Sequence, residues 1–149
     1  METYVVVLRV EGVPAGVFRY LPESHKLLRV RPLEAPGPVL IAACYGQEFP
    51  GRAAAVLVWT AVPARTEWKY GYISHRMIAM EAGHVCQNVY LASEAIGAGA
   101  CAVLAYDQER MDELIGADGI EEFTLYMATV GKPAAGASNR NPRPAPLGD

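Results

Sequence analysis

The chain has 149 residues, a net charge of −3, and 52% hydrophobic against 19% charged residues. That length sets one domain as the expectation, and so apolar a composition exceeds what a domain of this size hides alone, which points to a dimer. No basic run is present, which argues against nucleic acid as a partner, and charges, Gly or His break every long apolar stretch, which argues against a membrane span.

Thr3–Val10, TYVVVLRV, is apolar and β-branched, the pattern of a strand covered on both faces. Glu11–Gly16 reads as a turn. Val17–Leu21 and Lys26–Val30 alternate as a hairpin around Pro-Glu-Ser-His. Leu33–Pro38 is a Pro-rich connector, followed by a short predicted helix over Val39–Gln47. Ala53–Ala61, AAAVLVWTA, reads as a second buried strand. Pro63 then opens a short helix carrying Trp68 and Tyr70.

The central stretch predicts a helix over His75–Ile96. It is apolar nearly all round, with Met77, Ile78, Met80, Val85, Val89, Tyr90, Leu91 and Ile96 pointing in every direction. Such a helix is expected to be buried, in a core or between subunits. Glu81, His84 and Asn88 share one face and are expected to form a buried hydrogen-bonded network. One E-x-x-H pair falls short of a di-metal bundle, which needs two, so no metal site is expected. Gly97 and Gly99 stop the helix. An apolar strand, Ala100–Ala105, follows, and Asp107 caps a helix over Gln108–Ile115. Gly116–Gly119 is a turn and Glu122–Val130 the last strand. Residues 134–149, rich in Pro, Ala, Gly, Ser and Asn, form an expected flexible tail. The interleaved elements give an α/β or α+β class with one mixed sheet packed by helices.

Cys44, Cys86 and Cys101 are far apart and in apolar contexts, as reduced core cysteines of a cytoplasmic protein would be. The Gly97-Ala98-Gly99 turn is the better binding candidate, because small residues expose backbone N–H and C=O groups to a flat ligand; the same pattern also serves as a helix C-cap and tight turn. Arg140 and Arg143 have the donors to grip a phosphate, or they stay solvated on the tail.

KYGYISHRMIAMEAGHVCQNVYLASEAIGAGACAVLAYD, followed by MDELIGADGIEEFTLYMATVGKP, resembles the nitroreductase superfamily. More narrowly it resembles the SagB-type dehydrogenase branch, whose members oxidise azolines to azoles or have unassigned redox roles. YVVVLRVEGVPAGVFRYLPESHKLLRV and AACYGQEFPGRAAAVLVWTA match that branch in the same order, so the likeness spans residues 1–133. It implies an α+β, nitroreductase-like domain with a long central dimerisation helix, working as a homodimeric FMN-dependent oxidoreductase on a small organic substrate. By position it places backbone of Cys101, Ala102, Val103, Leu104, Ala105 and Tyr106 along the isoalloxazine ring, next to Gly97 and Gly99. It also places Arg143, and more loosely Arg140, on the flavin phosphate.

Two departures stand out. The helices with an Arg-Arg-Ser-x-Arg stretch that open family members are absent before Met1, which implies a truncated domain with weakened phosphate binding. Leu104-Ala105 also stands where many nitroreductases carry Glu-Gly. The alternative implied is a half-length, non-catalytic homologue that has lost FMN and serves as a dimeric ligand-binding or partner subunit.

Overall fold

The computed structural model describes residues 1–133. Its elements are β1 (Glu2–Val7), β2 (Gly16–Leu21), β3 (Lys26–Pro32), α1 (Pro36–Ala43), α2 (Glu48–Arg52), β4 (Ala55–Ala61), α3 (Ala64–Tyr70), a single 3-10 turn (Gly71–Ile73), α4 (Ser74–Ala95), β5 (Gly99–Val103), α5 (Gln108–Ile115) and β6 (Phe123–Gly131). The six strands form one sheet in the order β3-β2-β1-β4-β6-β5. The class is α+β.

Every one of the five strand pairings is antiparallel, where a mixed sheet was expected. The reason lies in the last strand. Strands β4 and β5 run the same way, joined through α3 and α4, as in a parallel crossover. Strand β6 inserts between them and runs against both. Interleaving of helices and strands in sequence does not reveal that insertion.

Alternation along the strands sorts their side chains onto two faces. Tyr4, Val6, Val17, Val56, Val58, Val103 and Met127 pack with Leu40, Ala43 and Cys44 of α1 and its end, and with Met111, Leu114 and Ile115 of α5. The opposite face presents Trp59 and Ala128, which meet Cys86 of α4, with Val85, Val89, Ala102 and Tyr126 around them. Trp59 is fully enclosed there.

Helix α1 starts three residues earlier than the sequence suggests, inside the Pro-rich segment, with Pro in its first turn. There the missing N–H costs nothing, because the first helical donors have no partner anyway. Helix α2 has no apolar period long enough to announce it, and Pro50 and Gly51 obscure it further. Helix α5 follows its signals residue for residue. Asp107 accepts from the Arg110 N–H at 3.1 Å, and Gly116 closes the helix in the left-handed region at φ 82°.

Helix α4 has the expected extent, 22 residues, and an unexpected environment. Ser74, Ile78, Ala82, Cys86 and Ser93 make a narrow seam against the sheet. Their small size lets the helix axis approach closely. The rest of its circumference is open: Met80 is 59% and Leu91 61% exposed. Glu81, His84 and Asn88 also lie on the open side and make no hydrogen bond among the described residues, so the buried network expected for them does not form within the chain. No described helix is long and apolar enough to cross a membrane.

Candidate functional site

Strand β5 is one of the two edges of the sheet, bonded only to β6, with β3 at the other. Gly97, in the left-handed region at φ 67°, ends α4 by donating to the Glu94 carbonyl at 3.1 Å, and Ala98 donates to Ser93 at 2.8 Å. That turn delivers Gly99 into the edge strand. Glycine is required at Gly97 by its backbone; at Gly99 an added Cβ would meet nothing nearer than Pro133 Cγ at 3.5 Å.

The strand expected over Ala100–Ala105 is observed over Gly99–Val103 and is more open than its apolar composition suggests. It ends at Val103, and only Val103 reaches the core. Cys101 is exposed, which corrects its expected place in the core; Cys44 and Cys86 are buried as expected. An edge position explains the difference, because one flank of β5 has no neighbour. Burial pushes the Cys44 thiol up to about 11. It also raises Cys86, against the opposing hydrogen bond with Tyr126. Neither buried thiol is therefore a thiolate near neutral pH.

The candidate residues divide among three surroundings. Gly99, Ala100 and Cys101 line an open cleft of about 480 Å³ with Phe49 and Arg52 of α2 and with the end of β6 through Lys132 and Pro133. Leu104 lines a second cleft of about 330 Å³, almost wholly apolar, between Ala79, Ala82 and Gly83 of α4 and Leu125 and Tyr126 of β6. Ala102 and Val103 join the two, and the Ala102 N–H is held by Tyr90 Oη at 2.7 Å. Gly97 lines neither cleft. Arg140 and Arg143, with the whole expected tail, lie outside the described residues.

Past Val103 the chain leaves the sheet. The N–H groups of Leu104, Ala105 and Tyr106 have no hydrogen-bond partner among the described residues. These three successive donors start at the second cleft, which Leu104 lines at 73% exposure, and continue beyond it at Ala105 and Tyr106. The segment is fastened from behind. Asp107 N–H donates to the Ala43 carbonyl at 2.7 Å, and Gln47 Nε2 donates to the Ala105 carbonyl at 2.8 Å. The sequence signals missed Gln47, Arg52 and Lys132. Gln47 follows a Tyr45-Gly46 turn in which both residues have positive φ, and an isolated Gly in an AACYGQ stretch does not advertise a contact 58 residues away.

A model of the nitroreductase family matches residues 4–132. The chain belongs to the nitroreductase family. A protein of Methanocaldococcus jannaschii, provisionally named a nitroreductase, is 37% identical over 132 residues, which make up 89% of this chain and 65% of that protein. A solved structure from Anabaena variabilis, described as of a nitroreductase, superposes with a TM-score of 0.83 at 29% identity, over 89% of this chain and 27% of that one. A chain in the Escherichia coli microcin synthetase McbBCD complex, solved with truncated pro-MccB17 bound, gives a TM-score of 0.80 at 25% identity over 89% of this chain and 52% of that one. The chain thus spans between about a quarter and two thirds of the length of these proteins.

Proposed function

We propose that this nitroreductase-family chain is part of an FMN-dependent oxidoreductase of the SagB-type branch, acting as a homodimer on a small organic substrate in the cytoplasm. The observation that carries the reading is the row of donors at Leu104, Ala105 and Tyr106 without partners among the described residues, directly after an edge strand whose start lines a cation-bearing cleft and whose end leads into an apolar one.

The residues present fit a flavin. Unpaired peptide N–H groups suit the acceptor atoms that rim an isoalloxazine ring. Gly99, Ala100 and Cys101 are small enough to leave edge-strand backbone accessible. Arg52 and Lys132 are the described cations in the same cleft, and both suit a phosphate, although Arg52 is shared with Glu48. Leu104, Leu125 and Tyr126 would keep water from the opposite side. Bound there, FMN supplies acceptance and return of a hydride. The chain's own part is to orient the ring, neutralise its phosphate and exclude solvent.

The likeness to a chain of the McbBCD complex supports the narrower branch. Three free cysteines, one of them exposed, suit a reducing compartment. The bare side of α4 supports the homodimer: Met80, Leu91 and, just past the helix, Ile96 are large apolar side chains left exposed, which a partner subunit would cover.

Titration with FMN, followed by flavin fluorescence quenching and by absorbance near 450 nm (a general property of oxidised flavin), tests the reading. Saturable one-to-one binding is expected, and submicromolar affinity would show that the phosphate needs no residues outside this chain. No binding at millimolar FMN refutes a flavin role for this chain.

A further inference from the structure

The segment Leu104–Tyr106 has no strand partner, yet its amides point somewhere definite, and one side chain decides where. Gln47 Nε2 donates both to the Cys44 carbonyl at 3.0 Å and to the Ala105 carbonyl at 2.8 Å. Both partners are acceptors, so only the amide nitrogen satisfies them and the orientation of the Gln47 side chain is unambiguous. In a trans peptide the C=O of one residue and the N–H of the next point to opposite sides. Holding the Ala105 carbonyl toward α1 therefore turns the Tyr106 N–H away from α1, to the side where it has no partner.

We propose that Gln47 is a positioning residue for the bound cofactor: it fixes the 105–106 peptide plane so that the Tyr106 N–H is presented to an acceptor atom on the edge of a planar heteroaromatic ring. The inference rests on the flavin reading of the site above. Several features of the fold serve this one contact. Tyr45 and Gly46, at φ 53° and 81°, reverse the chain after α1 so that Gln47 returns toward β5. The last turn of α1 is already tied to the same loop by the Asp107 N–H on Ala43 and by Arg110 Nη1 on the Ala42 carbonyl at 3.2 Å. Those two bonds fix where the loop lies. The Gln47 bond alone reaches the peptide whose far side is free, and so sets its rotation.

The test compares the full chain with Gln47→Ala, Gln47→Glu and Arg110→Ala. Arg110→Ala removes a neighbouring tie without touching Ala105. Two readouts are taken: the FMN dissociation constant by fluorescence quenching, and the amide 1H–15N shift of Tyr106 on adding FMN. Thermal melts confirm that each variant folds. Expected are a roughly 10- to 100-fold weaker FMN constant and loss of the Tyr106 shift in Gln47→Ala. Gln47→Glu, which replaces the donor by an acceptor facing two carbonyls, should behave the same way or worse. Arg110→Ala should stay within about two-fold of the parent. A Tyr106 shift that survives in Gln47→Ala with unchanged affinity overturns the role of Gln47 while leaving the flavin site standing. An equal loss in Arg110→Ala also overturns it, because general loosening of the loop would then suffice. Absence of any FMN-induced shift in the unmutated chain instead overturns the flavin reading itself.

Discussion

Replacing Asp112 by Ala should cost about 3 kcal/mol of folding stability. Asp112 is 4% exposed on α5, and its carboxylate reaches across to β6. Its Oδ1 accepts the Thr124 backbone N–H at 2.5 Å, and its Oδ2 accepts Gln108 Nε2 at 2.9 Å; the same Gln108 nitrogen donates to the Thr124 carbonyl. A bond to a charged group contributes roughly 1.5–3 kcal/mol net, and stranding a buried donor costs about 1–3 kcal/mol. The Thr124 N–H would be stranded as well as losing a charged acceptor, whereas Gln108 keeps its second acceptor, so the loss falls near the top of those ranges, about 3 kcal/mol. Against a total stability of roughly 5–15 kcal/mol this is a large fraction. At about 2–4 °C per kcal/mol for a chain of this length, Tm should fall by roughly 6–12 °C. Asp112→Asn keeps an acceptor for Thr124 and should cost about half as much. Urea melts of the three proteins, with unchanged slope, measure both. A loss under about 0.5 kcal/mol for Asp112→Ala would refute the account of α5 and β6 being held by this carboxylate.

Further expectations follow from other parts of the molecule. Burial alone would raise the Glu2 carboxyl, but hydrogen bonds and charge from Arg65 and Arg19 outweigh it and hold the group below the ordinary 4.5. A depressed carboxyl contributes its stability fully above the unfolded value and loses it as pH falls through the folded one. The stability difference between the parent and Glu2→Gln should therefore be largest near pH 7 and shrink below about pH 4.5; urea midpoints across pH 3–7 would contradict this if the difference grew on acidification. Gly83 is exposed on α4 and, beyond its own helix turn, no described residue lies within 4 Å of an added Cβ, so Gly83→Leu should leave the monomer folded and abolish the dimer, as read by light scattering; a monomeric parent at micromolar concentration would dispose of the dimer altogether. On that monomeric background His84→Ala should change stability by less than about 0.5 kcal/mol, since His84 lies exposed without a partner.

Local signals in the sequence located most elements, and pairwise relations between distant elements accounted for the misses. The β2–β3 hairpin, α4, α5 and β6 carry their own periodicity and caps, so neighbouring residues suffice to find them. The antiparallel sheet depends on β6 entering between β4 and β5, a choice made by partners rather than by composition. Cys101 was expected in the core because composition records hydrophobicity and not the number of neighbours; the edge position of β5 left it exposed. Similarly, the all-round apolarity of α4 led to the expectation of a helix buried on every side, while the described residues cover only one seam of it. For the candidate segment Gly97 to Ala105 the sequence indicated the turn and the strand start, but not what fastens the segment from behind. Gln47 and Asp107 act through backbone carbonyls, and no residue pattern records which carbonyl a side chain will meet.

Strand β5 touches the sheet only through β6, which is the last described element to be made. During synthesis the candidate cofactor segment leaves the ribosome before the strand that will hold it exists. Until Phe123–Gly131 emerges, β5 has no ladder to join, although β1, β2 and β4 can already pair. A chain stopped before β6 would thus retain a half-sheet of β1 to β4 and the ties of Ala105 and Asp107 to the end of α1, but residues 99–103 would have no ladder. The order of assembly makes the edge strand the last part of the sheet to be set, after everything it will lie against has already been laid down.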